Sequence, residues 1–261
     1  MFELIIDITE IFLKHPVLGG FIGSLLAGLA TGVGALPVFF FRRIPQKLID
    51  ALLGFSAGVM LAASFFSLII PALDIGGLYV TLIGIILGVT AIFLANEYLP
   101  HEHLVKGMEG YHYLRIRRIW LFVFTITIHN LPEGLAVGVG FGTGDVKEAV
   151  VLASAIALQN APEGLAVAFS LMTTLKYTAR YSFLIALITG LVEPVAGILG
   201  AYLTTISHTL LPYAMAFAGG AMVYVVSNEI IPESHRLGHE KQASLGLIIG
   251  FLMMLILDNV F

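Results

Sequence analysis

Two copies of one polar motif lie thirty residues apart in an otherwise apolar chain. The first begins at His129 and reads HNLPEGLAV, the second begins at Gln159 and reads QNAPEGLAV, and seven of the nine positions are identical. Residues four apart project from the same face of a helix, so His129 projects with Glu133, and Gln159 with Glu163. Imidazole nitrogen and carboxylate or amide oxygen are ligands for divalent transition metals. The repeat therefore predicts a metal site on two helices.

The motif also carries residues that shape the helix. Proline cannot donate a backbone hydrogen bond and clashes with the carbonyl four residues back, so Pro132 and Pro162 are expected to kink their helices. Gly134 and Gly164 allow neighbouring helices to approach closely. We therefore expect two kinked, closely packed helices that present oxygen and nitrogen atoms to each other.

Buried negative charge accompanies the motif. Glu133, Glu163 and Glu193 lie deep in apolar runs, and no Lys or Arg lies at the same depth. A carboxylate inside a membrane is costly unless it is neutralised. The compensating charge must come from protons or from a bound cation. Three carboxylates carry −3, so one divalent ion leaves −1 and two leave +1. A single such glutamate could be a protonated hydrogen-bond donor, but the repeated motif favours a cation.

The composition predicts a membrane protein. The chain has 261 residues, of which 58% are hydrophobic and 11% charged, and no cysteine; its mean hydropathy is +0.97. Soluble domains carry about 25% charged residues, which argues against a water-soluble enzyme. The absence of cysteine excludes disulfides, thiolate metal sites and cysteine nucleophiles. A formal charge of −4 offers no basic surface to nucleic acid.

Eight apolar runs are each long enough to cross a bilayer, which takes about 20 residues in a helix. A β-barrel would show short alternating segments instead. We therefore predict an all-α polytopic membrane protein, a single transmembrane domain over residues 1–261. The predicted spans are roughly 17–41, 48–72, 76–99, 119–142, 147–174, 181–206, 210–232 and 243–261.

The distribution of positive charge predicts the orientation. Eleven of the thirteen Lys and Arg residues fall in loops on one side of the eight spans, and only Lys14 and Lys147 fall on the other. By the positive-inside rule, both termini are expected on the extracytoplasmic side of the cell's inner membrane. Residues 1–15 carry three acidic residues rather than a positive start, so a short amphipathic lead-in helix is predicted there rather than a signal peptide.

The paired motifs HNLPEG and QNAPEG resemble those of the ZIP family of divalent metal transporters, in particular its prokaryotic, GufA-like branch. Further stretches support the resemblance, which covers essentially the whole chain: GFSAGVMLAASFFSLIIPALD, LVEPVAG and NEIIPESHRLGHE. It implies a transporter that moves Zn²⁺, or another of Cd²⁺, Fe²⁺, Mn²⁺ and Co²⁺, into the cytoplasm. The ion would be cargo rather than a cofactor, and the chain would not be an enzyme.

The resemblance also implies a two-ion centre halfway across the membrane. The first site would use Met60, His129, Glu133, Gln159 and Glu163. The second would use Asn130, Glu133, Asn160, Glu163 and Glu193, with the two motif glutamates bridging the ions. Some relatives have Asp where this chain has Asn160, which removes one negative charge. We therefore expect the first site to fill tightly and the second weakly.

An entrance, an exit and a moving block are further implications. Ser67, Asp74 and Asp258 are the candidates for an outer entrance. Glu229, His235 and the loop 100–118, with His101, His103 and His112, are the candidates for the inner exit. The resemblance suggests that spans 1, 4, 5 and 6 move as a block against the others, as in elevator-type transport. The expected partners are the metal ion and the lipid bilayer, with a homodimer as one assembly to test.

Two other functions are compatible with the same residues. A membrane-embedded metalloenzyme would also use carboxylate and His ligands, but di-iron bundles use Glu-x-x-His, whereas here the order is His-x-x-x-Glu, and the HExxH motif of zinc proteases is absent. A proton-coupled carrier of an organic substrate would use the glutamates as proton relays. Metal uptake into vesicles separates all three.

Overall fold

The protein is built almost entirely from helices. A computed structural model describes residues 10–98, 101–103, 107–109, 118–173 and 177–260, with the backbone alone described between residues 101 and 125. Inside a bilayer, helices satisfy every backbone polar group locally. The helices are α1 (Pro16–Ala35), α2 (Gln46–Ala63), α3 (Ile70–Tyr98), α4 (Arg118–Gly142), α5 (Val146–Thr173), α6 (Ala179–Gly190), α7 (Glu193–Ile206), α8 (Leu211–Val225), α9 (Ile231–His235) and α10 (Glu240–Val260).

One short hairpin departs from the all-helical prediction. Strand β1 (His101–His103) pairs antiparallel with β2 (Gly107–Glu109), with His101 opposite Glu109. The histidine-containing loop predicted at the inner exit therefore includes a β-hairpin. Its side chains, and the whole of His112, lie outside the described residues, as does most of the predicted lead-in helix.

Six segments of the described chain are long and apolar enough to cross a membrane. They are Pro16–Phe39, Gln46–Tyr98, Val146–Thr173, Ala179–Ile206, His208–His235 and Glu240–Val260. The chain is thus an integral membrane protein with several apolar helices. Large apolar side chains cover much of its outer surface, as a lipid-facing surface requires.

Two of the long apolar segments contain a break in the helix. Gly77 has φ 74° and ψ 176° and breaks α3 near its start. The predicted span 181–206 is two helices, α6 and α7, separated by Leu191 and Val192. The two helices still form one apolar segment long enough to cross a membrane, Ala179–Ile206. The helix breaks because Pro194, in the first turn of α7, lacks the N–H that would continue α6 and clashes with the carbonyl four residues back.

Two π-helical segments continue the helices on either side of them. One, Ser64–Ile69, joins α2 to α3, and the other, Val226–Ile230, joins α8 to α9. Single π-helical turns are frequent at functional sites. The second contains Glu229, one of the predicted exit residues.

The helices form two groups. In the first bundle, α1 packs on α4, α5, α6 and α7, and α4 packs on α7. In the second bundle, α2 packs on α9 and α10, and α3 packs on α8. The two bundles meet where α5 contacts α2 and where α4 contacts α8. The repeated motif lies on α4 and α5, so it faces this boundary from the first bundle.

Candidate metal centre

Most of the predicted metal ligands are buried. Asn130 and Glu133 on α4, Gln159, Asn160 and Glu163 on α5, Glu193 at the start of α7 and Met60 on α2 are all buried, whereas the side chain of His129 is 15% exposed. Met60 belongs to the same apolar cluster as Ile128, Ala155 and Ile156, which lie just before the two motifs. The predicted set therefore occupies the interior where the bundles meet.

Close backbone contacts explain the motif glycines. A Cβ added to Gly134 would lie 2.3 Å from the carbonyl oxygen of Glu193, and one added to Gly164 would lie 1.9 Å from that of Thr31. These distances are far below van der Waals contact, so no larger residue fits without moving a helix. Gly134 therefore allows α4 to approach the first turn of α7, and Glu193 lies beside the motif helix.

The amide side chains of the motifs make hydrogen bonds to neighbouring helices. Asn160 Nδ2 donates to the Ala27 carbonyl oxygen at 2.9 Å and to Glu193 Oε1 at 2.7 Å. Gln159 Nε2 donates to Asn160 Oδ1 at 2.7 Å. On α4, Asn130 Nδ2 donates to the carbonyl oxygen of Thr189 at 2.8 Å. These bonds join α5 to α1 and α7, and α4 to α6.

The remaining oxygens of the site have no hydrogen-bond partner among the residues that the structure describes. They are Glu133 Oε1 and Oε2, Gln159 Oε1, Glu163 Oε1 and Glu193 Oε2. Buried polar atoms normally find a partner, and an isolated buried carboxylate is strongly unfavourable. The three glutamates also interact electrostatically with one another. A cluster of buried, unpaired oxygen atoms of one charge sign is suited to a cation.

His129 is turned toward the second bundle. Its Nε2 contacts Glu229 Oε2, and Asn96 Nδ2 on α3 donates to Glu229 Oε1 at 2.5 Å. The sequence places His129 in the centre and Glu229 at the exit, so the structure joins the two predicted sites. Within the described part of the chain, no three His, Asp or Glu side chains converge closely enough to enclose a metal ion. In this arrangement, an ion bound by Glu133 and Glu163 would also need the amide oxygen of Gln159 as a ligand.

Two of the three entrance candidates lie together. Ser67 Oγ donates to Asp258 Oδ1 at 3.1 Å, and both residues line a cavity of about 80 Å³ between the bundles. Glu148, which sequence reasoning did not single out, lines the same cavity. Asp74 is exposed and is not among the residues lining it.

The opposite side of the bundle boundary holds a second cavity. It measures about 110 Å³ and is lined by Gln46, Asp50 and Glu233, among others. Asp50 is buried and accepts from Gln46 Nε2 at 2.7 Å, and His239 Nδ1 lies 2.8 Å from its other oxygen. The sequence did not single out these residues, although Asp50 is the one acidic residue in the predicted run 48–72.

The predicted exit residue His235 does not line this second cavity. Its ring nitrogens lie 2.9 Å from the carbonyl oxygen of Ile231 and 3.0 Å from Ser244 Oγ. The contact with Ser244 joins α9 to α10 within the second bundle.

Comparison with known proteins decides the family. A family model described as "ZIP Zinc transporter" matches residues 95–258, more than half of the chain and the whole of both motifs. The chain belongs to the ZIP zinc transporter family. This confirms the resemblance drawn from the paired motifs, and it places the chain in a family of transporters rather than of enzymes.

Individual members of the ZIP family resemble most of the chain. Zinc transporter ZIPB of Bordetella bronchiseptica is 44% identical, over 96% of this chain and 82% of its own length. Zinc transporter GufA of Myxococcus xanthus is 42% identical, over 92% and 97%. Zinc transporter ZIP11 of Homo sapiens is 33% identical, over 91% and 95%. The first two support the GufA-like branch predicted from the motifs.

Proposed function

We propose that this chain carries divalent transition-metal ions, above all Zn²⁺, into the cytoplasm through a site between α4 and α5. The observation that carries the proposal is the cluster of buried, unpaired oxygens on the repeated motif, in a chain that belongs to a family named for zinc transport. Carboxylate, amide and imidazole ligands suit Zn²⁺ and similar ions.

Helix directions support eight spans. Gln46–Tyr98 has 53 residues, about 80 Å of helix if continuous, against a hydrocarbon core of about 30 Å, so its break at Gly77 makes two crossings. The six apolar segments therefore make seven crossings. The 25-residue α4, which is not one of those segments, adds the eighth. In a chain of alternating spans, two spans separated by an even number of crossings run in the same direction.

The contacts between α2 and α10, between α3 and α8, and between α4 and α7 have this parallel order. The contacting residues are Gly54 and Gly58 with Ala243 and Leu247, Gly84 and Gly88 with Ala216 and Phe217, and Gly134 and Gly138 with Glu193 and Gly197. With the loop charges, this favours extracytoplasmic termini in an inner membrane.

The two bundles suggest how the ion crosses. Glu133, Glu163 and Gln159 all lie on the first bundle, whereas Met60 and Glu229 lie on the second. Sliding of one bundle against the other would carry the ion from the cavity of Ser67 and Asp258 toward the cavity of Asp50. The first bundle contains the spans that the family resemblance assigns to the moving block.

Uptake of ⁶⁵Zn²⁺ into proteoliposomes reconstituted with the purified chain tests the proposal. We expect saturable uptake that unlabelled Cd²⁺ inhibits by competition. Vesicles that take up no metal would refute it, as would a chain that binds metal but only catalyses a reaction. Assembly as a homodimer remains a prediction, which the mass of the protein in nanodiscs would test.

A further inference from the structure

Both the nitrogen and the oxygen of the Asn160 side-chain amide make hydrogen bonds inside the metal centre. Its Nδ2 donates to Ala27 and to Glu193, and its Oδ1 accepts from Gln159. The Ala27 backbone carbonyl can only accept, so it fixes which side-chain atom of Asn160 is nitrogen. The N–H groups of Asn160, rather than its oxygen, therefore face the Glu193 carboxylate. A nitrogen that donates two hydrogen bonds has no lone pair to offer a metal ion.

This contact takes up one of the two oxygens that Glu193 could give to a second ion. Glu193 Oε1 lies 2.7 Å from Asn160 Nδ2, which leaves only Oε2, an atom without a partner among the described residues. Asn130, the other amide assigned to the second site, also directs its nitrogen to a backbone carbonyl. Of the five residues assigned to the second site, Asn160 therefore presents N–H groups rather than its oxygen to Glu193.

The charges balance with a single ion. Glu133 and Glu163 together carry −2, which one divalent cation neutralises. Glu193 is the first residue of the 14-residue helix α7, where the partial positive charge of a helix N-terminus stabilises an anion. The Asn160 amide adds a hydrogen bond to a charged acceptor, which is stronger than a neutral one. The third carboxylate thus has its own stabilisation and does not require a second metal ion.

The same amide positions the first site. Because Gln159 Nε2 donates to Asn160 Oδ1, the Gln159 side chain is held with Oε1 free of any hydrogen bond from the described residues. This oxygen is the neutral ligand that accompanies Glu133 and Glu163. Asn160 acts on both sides of the centre, since it holds Glu193 with its nitrogen and orients Gln159 with its oxygen.

We propose that this transporter carries one divalent ion per cycle, with the Asn160 amide in the role that a second ion would otherwise have beside Glu193. The inference rests on the proposed function and specifies its stoichiometry. Asn160 is a positioning residue, whose side chain holds Glu193 and Gln159 by hydrogen bonds rather than by ligating the metal.

Counting bound ions tests the proposal. The full chain in lipid nanodiscs is saturated with Cd²⁺, and the ions per polypeptide are counted by native mass spectrometry in four proteins: wild type, Asn160→Asp, Glu193→Gln and the double variant. We expect one bound Cd²⁺ ion per polypeptide in the wild type, two in Asn160→Asp, one in Glu193→Gln and one in the double variant. Asn160→Asp removes the amide donor and adds a fourth carboxylate, so two divalent ions are balanced. Glu193→Gln in that background then removes a ligand of the second ion.

The outcomes separate this inference from the proposed function. Two ions on the wild-type chain would overturn the inference while supporting metal transport, and so would a single ion on folded Asn160→Asp. No ion on the wild-type chain would overturn the proposed function as well. The wild-type count decides the question even if a variant fails to fold, and thermal unfolding of each variant identifies that case. A purely structural Asn160 would change stability without doubling the number of bound ions.

Discussion

His129 Nε2 contacts Glu229 Oε2 across the boundary between the two bundles. His129 belongs to the motif on α4, and Glu229 to the π-helical segment after α8. An imidazole engaged by a carboxylate is less available to a metal ion, so binding of the ion and the His129–Glu229 contact compete. We therefore expect the pair to couple release of the ion to the relative position of the bundles.

Glu229→Gln tests this coupling. The substitution keeps the shape and the hydrogen-bonding capacity of the side chain but removes the charge that attracts His129. We expect Zn²⁺ to bind at least as tightly as in the wild type, while the maximal uptake rate falls several-fold because a neutral amide holds the imidazole less strongly than a carboxylate does when the ion leaves. Affinity is measured by titration in nanodiscs and rate by initial uptake. Glu240→Gln, an exposed position on α10, is the matched control, and a wild-type uptake rate in Glu229→Gln would contradict the coupling.

Gly134→Ala tests the close approach of α4 to α7. The added methyl would lie 2.3 Å from the Glu193 carbonyl oxygen and 2.6 Å from its Cα, so the helices must separate. Overpacking of this kind costs about 1–3 kcal/mol, and it displaces the Glu193 side chain from Asn160. We expect a lower unfolding temperature together with weaker metal binding.

Gly140→Ala is the control on the same helix. Its added methyl meets a flexible side-chain atom, Leu152 Cδ2, at 3.3 Å, so the stability and metal affinity of this variant should change less. Equal losses in the two variants would show that the α4–α7 contact has no special role.

Acid on the loading side should slow uptake. An unperturbed His has a pKa near 6.5, and a ligand must lose its proton before it binds a metal. As the pH falls below about 6, protons therefore compete with the ion for His129 and for the glutamates. The initial rate of Zn²⁺ uptake is measured between pH 5 and 7.5 at constant free Zn²⁺. A flat profile would argue against a site of imidazole and carboxylate ligands.

Local sequence rules predicted long apolar helices and the buried polar motifs that two of them carry. The repeat identified Glu133 and Glu163 because a polar pair four residues apart is conspicuous in an apolar run, and Gly134 was correctly expected at a close helix contact. The break before Glu193 could have been predicted from Pro194, but a run of apolar residues masks it.

Contacts between distant segments could not be predicted in this way. The partners of Asn160, Ala27 and Glu193, lie 133 and 33 residues away, and the contact of His129 with Glu229 spans 100 residues. Such pairs depend on which helices adjoin and at what depth, and helical periodicity carries no information about either. Asn96 and Asp50 were missed for the same reason, since each lies near the end of an apolar run and has its partner on a distant segment.

Uptake of ⁶⁵Zn²⁺ by Glu133→Ala and Glu163→Ala in proteoliposomes is the most direct test of the proposed transport site. Both carboxylates are buried, and each has an oxygen with no partner in the described part of the chain. Each substitution therefore removes a ligand charge that no neighbour replaces. We predict that either variant inserts and folds as the wild type does, with Glu240→Ala as an active control, yet takes up no Zn²⁺ above empty vesicles. A near wild-type rate in either variant would show that the ion does not pass between α4 and α5.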